Sequence, residues 1–146
     1  RNEPALYEFN FAGYGFEWFD QSDSVDCVLV YCRKGHHWQE HVVIAANMTP
    51  VARHNYRIGV PHNGTWSEIF NTDNHEYWGS GVINPYPQEA EMESWQGKAQ
   101  SILVSLPPLG ITVWKLKEHP SLNGKDNGNG SDEKKKRTPK PKSNGK

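Results

Sequence analysis

The stretch Val42-Val43-Ile44-Ala45-Ala46-Asn47-Met48-Thr49-Pro50-Val51-Ala52-Arg53-His54-Asn55-Tyr56-Arg57-Ile58-Gly59-Val60-Pro61 constrains this chain most. It reads as a strand, a polar turn and a second strand. Val42 to Met48 is apolar on both sides of an extended backbone. Val25 to Arg33 has the same character, with Val25, Cys27, Leu29 and Tyr31 on one face and Val28, Val30 and Cys32 on the other. Short runs of this kind, bounded by turn residues, belong inside a sheet rather than at its edge. Lys34-Gly35-His36-His37 turns the chain between them, so an antiparallel hairpin is the natural pairing.

Similar punctuation continues along the chain. Phe16–Asp20 alternates imperfectly and predicts a short strand, and Tyr56–Val60 and Trp66–Phe70 predict two more. The Asn63-Gly64 pair between the last two is a hairpin signal. Residues 71–87 form a long loop of Gly, Asn, Pro, Tyr and Trp. Ala90–Trp95 is expected at a sheet edge, where Glu89, Glu91 and Glu93 would alternate on one face and guard it. Ser101–Leu106 points Ile102, Val104 and Leu106 inward, and Gly110–Leu116 is the final strand. Strands at this spacing without a helical period predict an all-β fold, an antiparallel β-sandwich.

The hydrophobic fraction of 35% is low for a globular chain, and the deficit sits at one end. Residues 118–146 carry one large apolar side chain, Leu122, and eight Lys or Arg against four Asp or Glu. Such a segment cannot bury enough apolar surface to offset its ordering entropy, so a disordered basic tail is expected there. Residues 1–12 read as a lead-in from a preceding domain, and 13–117 as the β-domain. The chain starts at Arg1 without a recognisable leader, which is expected of a piece of something longer. Residues 1–117 carry eight basic and thirteen acidic groups, so neither a nucleic-acid nor a membrane surface is expected as partner.

Cys27 and Cys32 lie five positions apart in one expected strand, roughly 16 Å at the usual rise per residue. A disulfide needs Cα atoms within about 7 Å, so free, buried thiols in a reducing cytoplasm are expected. The sequons at Asn47, Asn63 and Asn129 are then chance matches.

Candidate chemistry is sparse. His36, His37 and His41 cluster around a loop, but the zinc-protease pattern is incomplete, and surface histidines without a metal are expected. No carboxylate spacing demands a catalytic cleft, and no Gly-rich phosphate cradle or nucleophile elbow is present, so no catalytic residue and no cofactor is assigned. The aromatics are the stronger signal. Sugar rings have apolar C–H faces that aromatic platforms bind by burial and stacking. Trp114, flanked by Ile111, Val113 and Leu116, reads as core. Trp66 is open between core and surface. Trp78, beside Tyr77 in the long loop, and Trp18, near the expected domain junction, are candidate sugar contacts.

An ordered set of segments runs from Pro4 to Leu116: Ala5-Leu6-Tyr7-Glu8, Gly15-Phe16-Glu17-Trp18, Ser24-Val25, Asn47-Met48-Thr49-Pro50-Val51 and Tyr56-Arg57-Ile58-Gly59-Val60-Pro61. Gly64-Thr65-Trp66-Ser67-Glu68-Ile69-Phe70-Asn71-Thr72-Asp73, Tyr77, Gly79-Ser80, Asn84 and Ser105-Leu106-Pro107-Pro108-Leu109 complete it. Taken together it resembles the C-terminal all-β domain of bacterial glycogen branching enzymes, of the α-amylase superfamily. Ile83 and Ala52 depart from the family's usual Gly and Pro. The resemblance implies an α-amylase-type C-terminal domain. Its parent cuts α-1,4-glucan and transfers the segment to a 6-hydroxyl by a retaining mechanism, with the catalytic carboxylates on a separate (β/α)-barrel. The implied partners are that barrel and an α-glucan, with Trp18, Trp66, Tyr77 and Trp78 as glucan-contact candidates, in the cytoplasm. A free-standing carbohydrate-binding or structural sandwich, or the terminal domain of another enzyme of the superfamily, is the alternative.

Overall fold

A computed structural model describes residues 2–21 and 23–118. Eight strands run in chain order: β1 (Phe16–Asp20), β2 (Val28–Arg33), β3 (Val42–Asn47), β4 (Arg53–Val60), β5 (Thr65–Asn71), β6 (Gln88–Glu89), β7 (Gln100–Leu106) and β8 (Ile111–Glu118). Six form one sheet in the order β1-β2-β3-β8-β5-β6, and β4 and β7 form a second. Every pairing is antiparallel. The fold is thus an all-β antiparallel sandwich. The tail expected at 118–146 lies, beyond Glu118, outside the described residues.

The expected hairpin forms, with Val28 opposite Asn47 and Arg33 opposite Val42. The core lies between the sheets. Val28, Val30, Cys32, Val43, Ala45, Trp114 and Leu116 of the larger sheet meet Ile58, Val60, Ile102, Val104 and Leu106 of the smaller. An irregularity in β1 between Trp18 and Asp20 explains its imperfect alternation. It turns Phe19 into the core.

Several expectations need correction. Tyr56–Val60 and Trp66–Phe70 are strands but not a hairpin: β4 pairs with β7, and β5 with β8 and β6. The Asn63-Gly64 bend carries the chain from one sheet to the other, so that Ile58, Val60 and Trp66 enter the same core. Gly64 has φ +130°, and a Cβ there would lie 2.1 Å from the Glu118 carbonyl oxygen, so only glycine fits. Cys27 is exposed and precedes β2 at φ +51°, so Cys32 alone is a buried thiol. Burial pushes Cys32 up to about 12. The edge expected over Ala90–Trp95 shrinks to β6 plus two isolated bridges, Glu91 to Ser101 and Trp95 to Lys98. Glu91 and Glu93 both pair with Arg57, at 2.7 and 3.1 Å.

The polar turn after β3 is built on Asn47, which is buried. Its amide donates to the carbonyls of Val51 and Pro107 at 2.8 and 2.9 Å, and its oxygen accepts from the Thr49 N–H and hydroxyl at 3.0 and 2.7 Å.

The lead-in lies across the outer face of the larger sheet. A 3-10 turn at Pro4–Leu6 seats Ala5, fully buried, on Val42, Ile44 and Val113. Arg33 donates to the Ala5 carbonyl at 3.4 Å and to Asn10 at 2.5 Å, and Lys115 pairs with Glu3 at 2.5 Å.

Candidate functional site

The loop between β5 and β7 begins with a polar cage. The Asp73 carboxylate accepts from the Ser80 N–H at 2.8 Å, the Ser80 hydroxyl at 2.7 Å and the Val82 N–H at 2.8 Å. Its carbonyl accepts from the Gly81 N–H at 2.9 Å. Burial pushes the Asp73 carboxyl upward, but these hydrogen bonds outweigh it and hold the group below the usual aspartate range. Asn71 adds a bond to the Val82 carbonyl at 3.0 Å and receives the Asp73 N–H at 2.8 Å. Gly79 presses on this cage, since a Cβ there would stand 2.0 Å from the Asp73 carbonyl oxygen. Asn84 ties the far end down through Glu68 at 2.6 Å and the Ser105 carbonyl at 2.9 Å.

Trp78 stands at the tip. It caps the 3-10 turn His75–Tyr77 in the left-handed region, φ 65°, and is 98% exposed. A bulky aromatic in that conformation is an outlier of the sort that clusters at functional positions. Tyr77, half exposed, stacks tilted on Phe70 at 5.5 Å. The polar cage therefore holds the loop that carries an open indole, next in the chain to Tyr77 and its contact with Phe70. What this arrangement offers chemically is an apolar platform.

The other candidates separate cleanly. Trp18 is 44% exposed but lies on β1 among aromatics, edge-on to Phe16 at 4.9 Å and to Tyr31 at 5.5 Å. Trp66 is fully buried, with its indole N–H given to the His62 carbonyl at 3.1 Å. It has no face to offer a sugar, because β5 must fill the core opposite Ile58 and Val60. Trp114 is core as its strand pattern implies, with its N–H on the Thr112 hydroxyl at 3.0 Å.

Of the clustered histidines, His36 and His37 are exposed as expected, and His41 differs. His36 and His37 precede a short 3-10 turn, Trp38–Glu40, whose start is held by Glu40 accepting from the His37 N–H. His41 is half-buried rather than a surface group, and its ring lies 3.4 Å from His62, a partner the local sequence did not suggest. Burial, reinforced by His62 and Lys34, lowers the His41 imidazole to about 4. Glu17, on β1, pairs with both Lys34 and Lys98. Burial raises its pKa, but the two lysines outweigh this and lower it. Among the described residues no helix is long and apolar enough to cross a membrane.

A six-on-two antiparallel sandwich with a polar-caged aromatic loop defines an all-β domain. Residues 18–117 match the family described as the alpha amylase C-terminal all-beta domain, and the chain belongs to that family. It is similar to three proteins named 1,4-alpha-glucan branching enzyme GlgB. The protein from Rhodopirellula baltica is 47% identical over 115 residues, 77% of this chain and 15% of that protein. The one from Aquifex aeolicus is 44% identical over 115 residues, 79% of this chain and 18% of that protein. The one from Shewanella frigidimarina is 40% identical over 111 residues, 76% and 15% respectively. The chain thus spans less than a fifth of the length of these relatives.

Proposed function

We propose that this chain is the C-terminal β-domain of a cytoplasmic 1,4-α-glucan branching enzyme. The parent protein transfers α-1,4-glucan segments to make α-1,6 branches by a retaining mechanism, with its catalytic carboxylates on a preceding barrel. The names and similarity of the relatives support that reading. Within it, the β-domain packs on the catalytic domain and helps to hold glucan. Trp78, with Tyr77 beside it, is the sugar platform.

The observation that carries the glucan role is the exposed indole of Trp78, left-handed at its backbone and fixed by the Asp73 cage. A loop whose backbone is already held loses less freedom when a flat sugar face settles on its indole, which lowers the cost of binding. Binding of amylopectin and maltoheptaose to the chain and to Trp78→Ala tests this. Losing one aromatic contact is expected to cost about 1 kcal/mol, roughly a fivefold loss of affinity, without a change in melting temperature. Equal binding by the two proteins would sink the platform. The chain alone is expected to leave an iodine-stain branching assay at blank level.

A further inference from the structure

We propose that His41 and His62 form a two-imidazole site for a divalent transition metal of the zinc class. The site is independent of the glucan platform and of the parent's activity. It clips the loop ahead of β3 to the bend that joins β4 and β5.

A distance carries the inference. His41 Nδ1 and His62 Nε2 stand 3.4 Å apart. The ring centroids are farther apart, at 5.5 Å, so the two nitrogens point toward one another. That spacing is long for a direct hydrogen bond, whose heavy atoms usually lie about 2.7–3.2 Å apart. It is the spacing that a shared ion imposes. Two Zn–N bonds of about 2.0–2.1 Å at a tetrahedral angle put their nitrogens roughly 3.4 Å apart. An ion seats just off the line between the nitrogens, which asks each ring for a small turn about χ2, a soft torsion in histidine.

Both rings are carried on held backbone. His62 packs against the Trp38 ring at 5.0 Å, and its carbonyl accepts the indole N–H of buried Trp66 at 3.1 Å. His41 gives its N–H to the Trp38 carbonyl at 3.3 Å and precedes the buried Val42. Both imidazoles are only half-buried, so an ion reaches them from solvent. The sequence groups His41 with His36 and His37, but the second nitrogen comes from the bend, 21 positions away. Folding alone brings the pair together, so an ion held there binds the folded chain in preference to the unfolded one.

The carboxylates that act on His41 are engaged elsewhere, Glu40 with the His37 N–H at 3.0 Å and Glu17 with Lys34 and Lys98. Among the described residues no group of three His, Cys, Asp or Glu side chains is placed to hold a metal. Water therefore completes the coordination. Two imidazole nitrogens with open positions suit a borderline ion such as Zn²⁺, whereas Ca²⁺ and Mg²⁺ take oxygen ligands.

Zinc titration of the 146-residue chain, followed by calorimetry and by the ¹⁵N resonances of its imidazoles, tests the site. One Zn²⁺ per chain is expected to shift the Nδ1 resonance of His41 and the Nε2 resonance of His62. The melting midpoint is expected to rise with Zn²⁺ and to return with EDTA, and Ca²⁺ and Mg²⁺ are expected to do neither. His41→Gln and His62→Gln are each expected to lose at least the roughly 10–100-fold in affinity that a supporting partner of a ligand is worth. The double variant His36→Gln, His37→Gln is expected to bind as the parent does. Zinc shifts confined to the other five histidines, or undiminished affinity in His62→Gln, overturn the inference. One zinc shared between two chains also overturns it. Should a variant fail to fold, the resonances of the parent chain decide alone: shifts at both His41 and His62 uphold the site, and a shift at one or neither removes it.

Discussion

At the scale of single residues, identical side chains take opposite roles because of what surrounds them. Trp66 and Trp114 close the core, and Trp78 is almost wholly in solvent. Trp66→Ala is therefore expected to destabilise the chain by about 3–5 kcal/mol, measured by urea unfolding. A loss below 1 kcal/mol, roughly the scale of a surface change, would contradict its core role. His41 has a different signature. Its folded pKa of about 4 lies below the ordinary 6.5, so the unfolded chain binds more protons between those values. Stability from this group is complete above pH 6.5 and is lost as pH falls through about 4. The urea midpoint of His41→Gln is expected to fall less steeply than the parent's between those two pH values. Parallel slopes would remove His41 as the cause.

At the scale of elements, the β2–β3 hairpin was legible because two doubly apolar runs are joined by one short loop. Which sheet β4 and β5 enter was not. Asn63-Gly64 specifies a tight bend, but the partner strands β7 and β8 lie tens of residues downstream. The strap was also hidden, since Pro4-Ala5-Leu6 is too short for a period and Ala5 is buried by Val42, Ile44 and Val113. The loop composition announced a loop and set its aromatics, Tyr77 and Trp78, apart from the core. The cage behind them is a tertiary arrangement, in which Asp73 reaches residues seven and nine positions away. Asp73→Asn tests that arrangement. It replaces a charge-assisted acceptor with a neutral amide, so the Ser80 and Val82 amides are expected to exchange faster while those of β2 and β3 do not. Unchanged protection at Ser80 and Val82 would mean that the cage does not hold the loop. The parent's own cage should loosen in acid, because stability from a depressed carboxyl is lost as pH falls through its folded pKa.

At the scale of the whole molecule, a two-stranded sheet covers one side of a six-stranded one, and the strap covers part of the other. The larger sheet is also assembled out of chain order. β8, which ends at Glu118, sits at its centre with β3 on one side and β5 on the other. A chain ending at Gly110 is expected to lose the cooperative thermal transition, followed by circular dichroism. A sharp melt in that truncated chain would show that the sheet closes without its middle strand. During synthesis, β3 and β5 leave the ribosome with unpaired edges and wait for β8 before they join the same sheet. Until then Val43 and Trp66 lack the strand that seals them. This domain therefore gains its stability late in translation, and a pause in the codons of β8 would leave its half-built sheet open to other nascent chains.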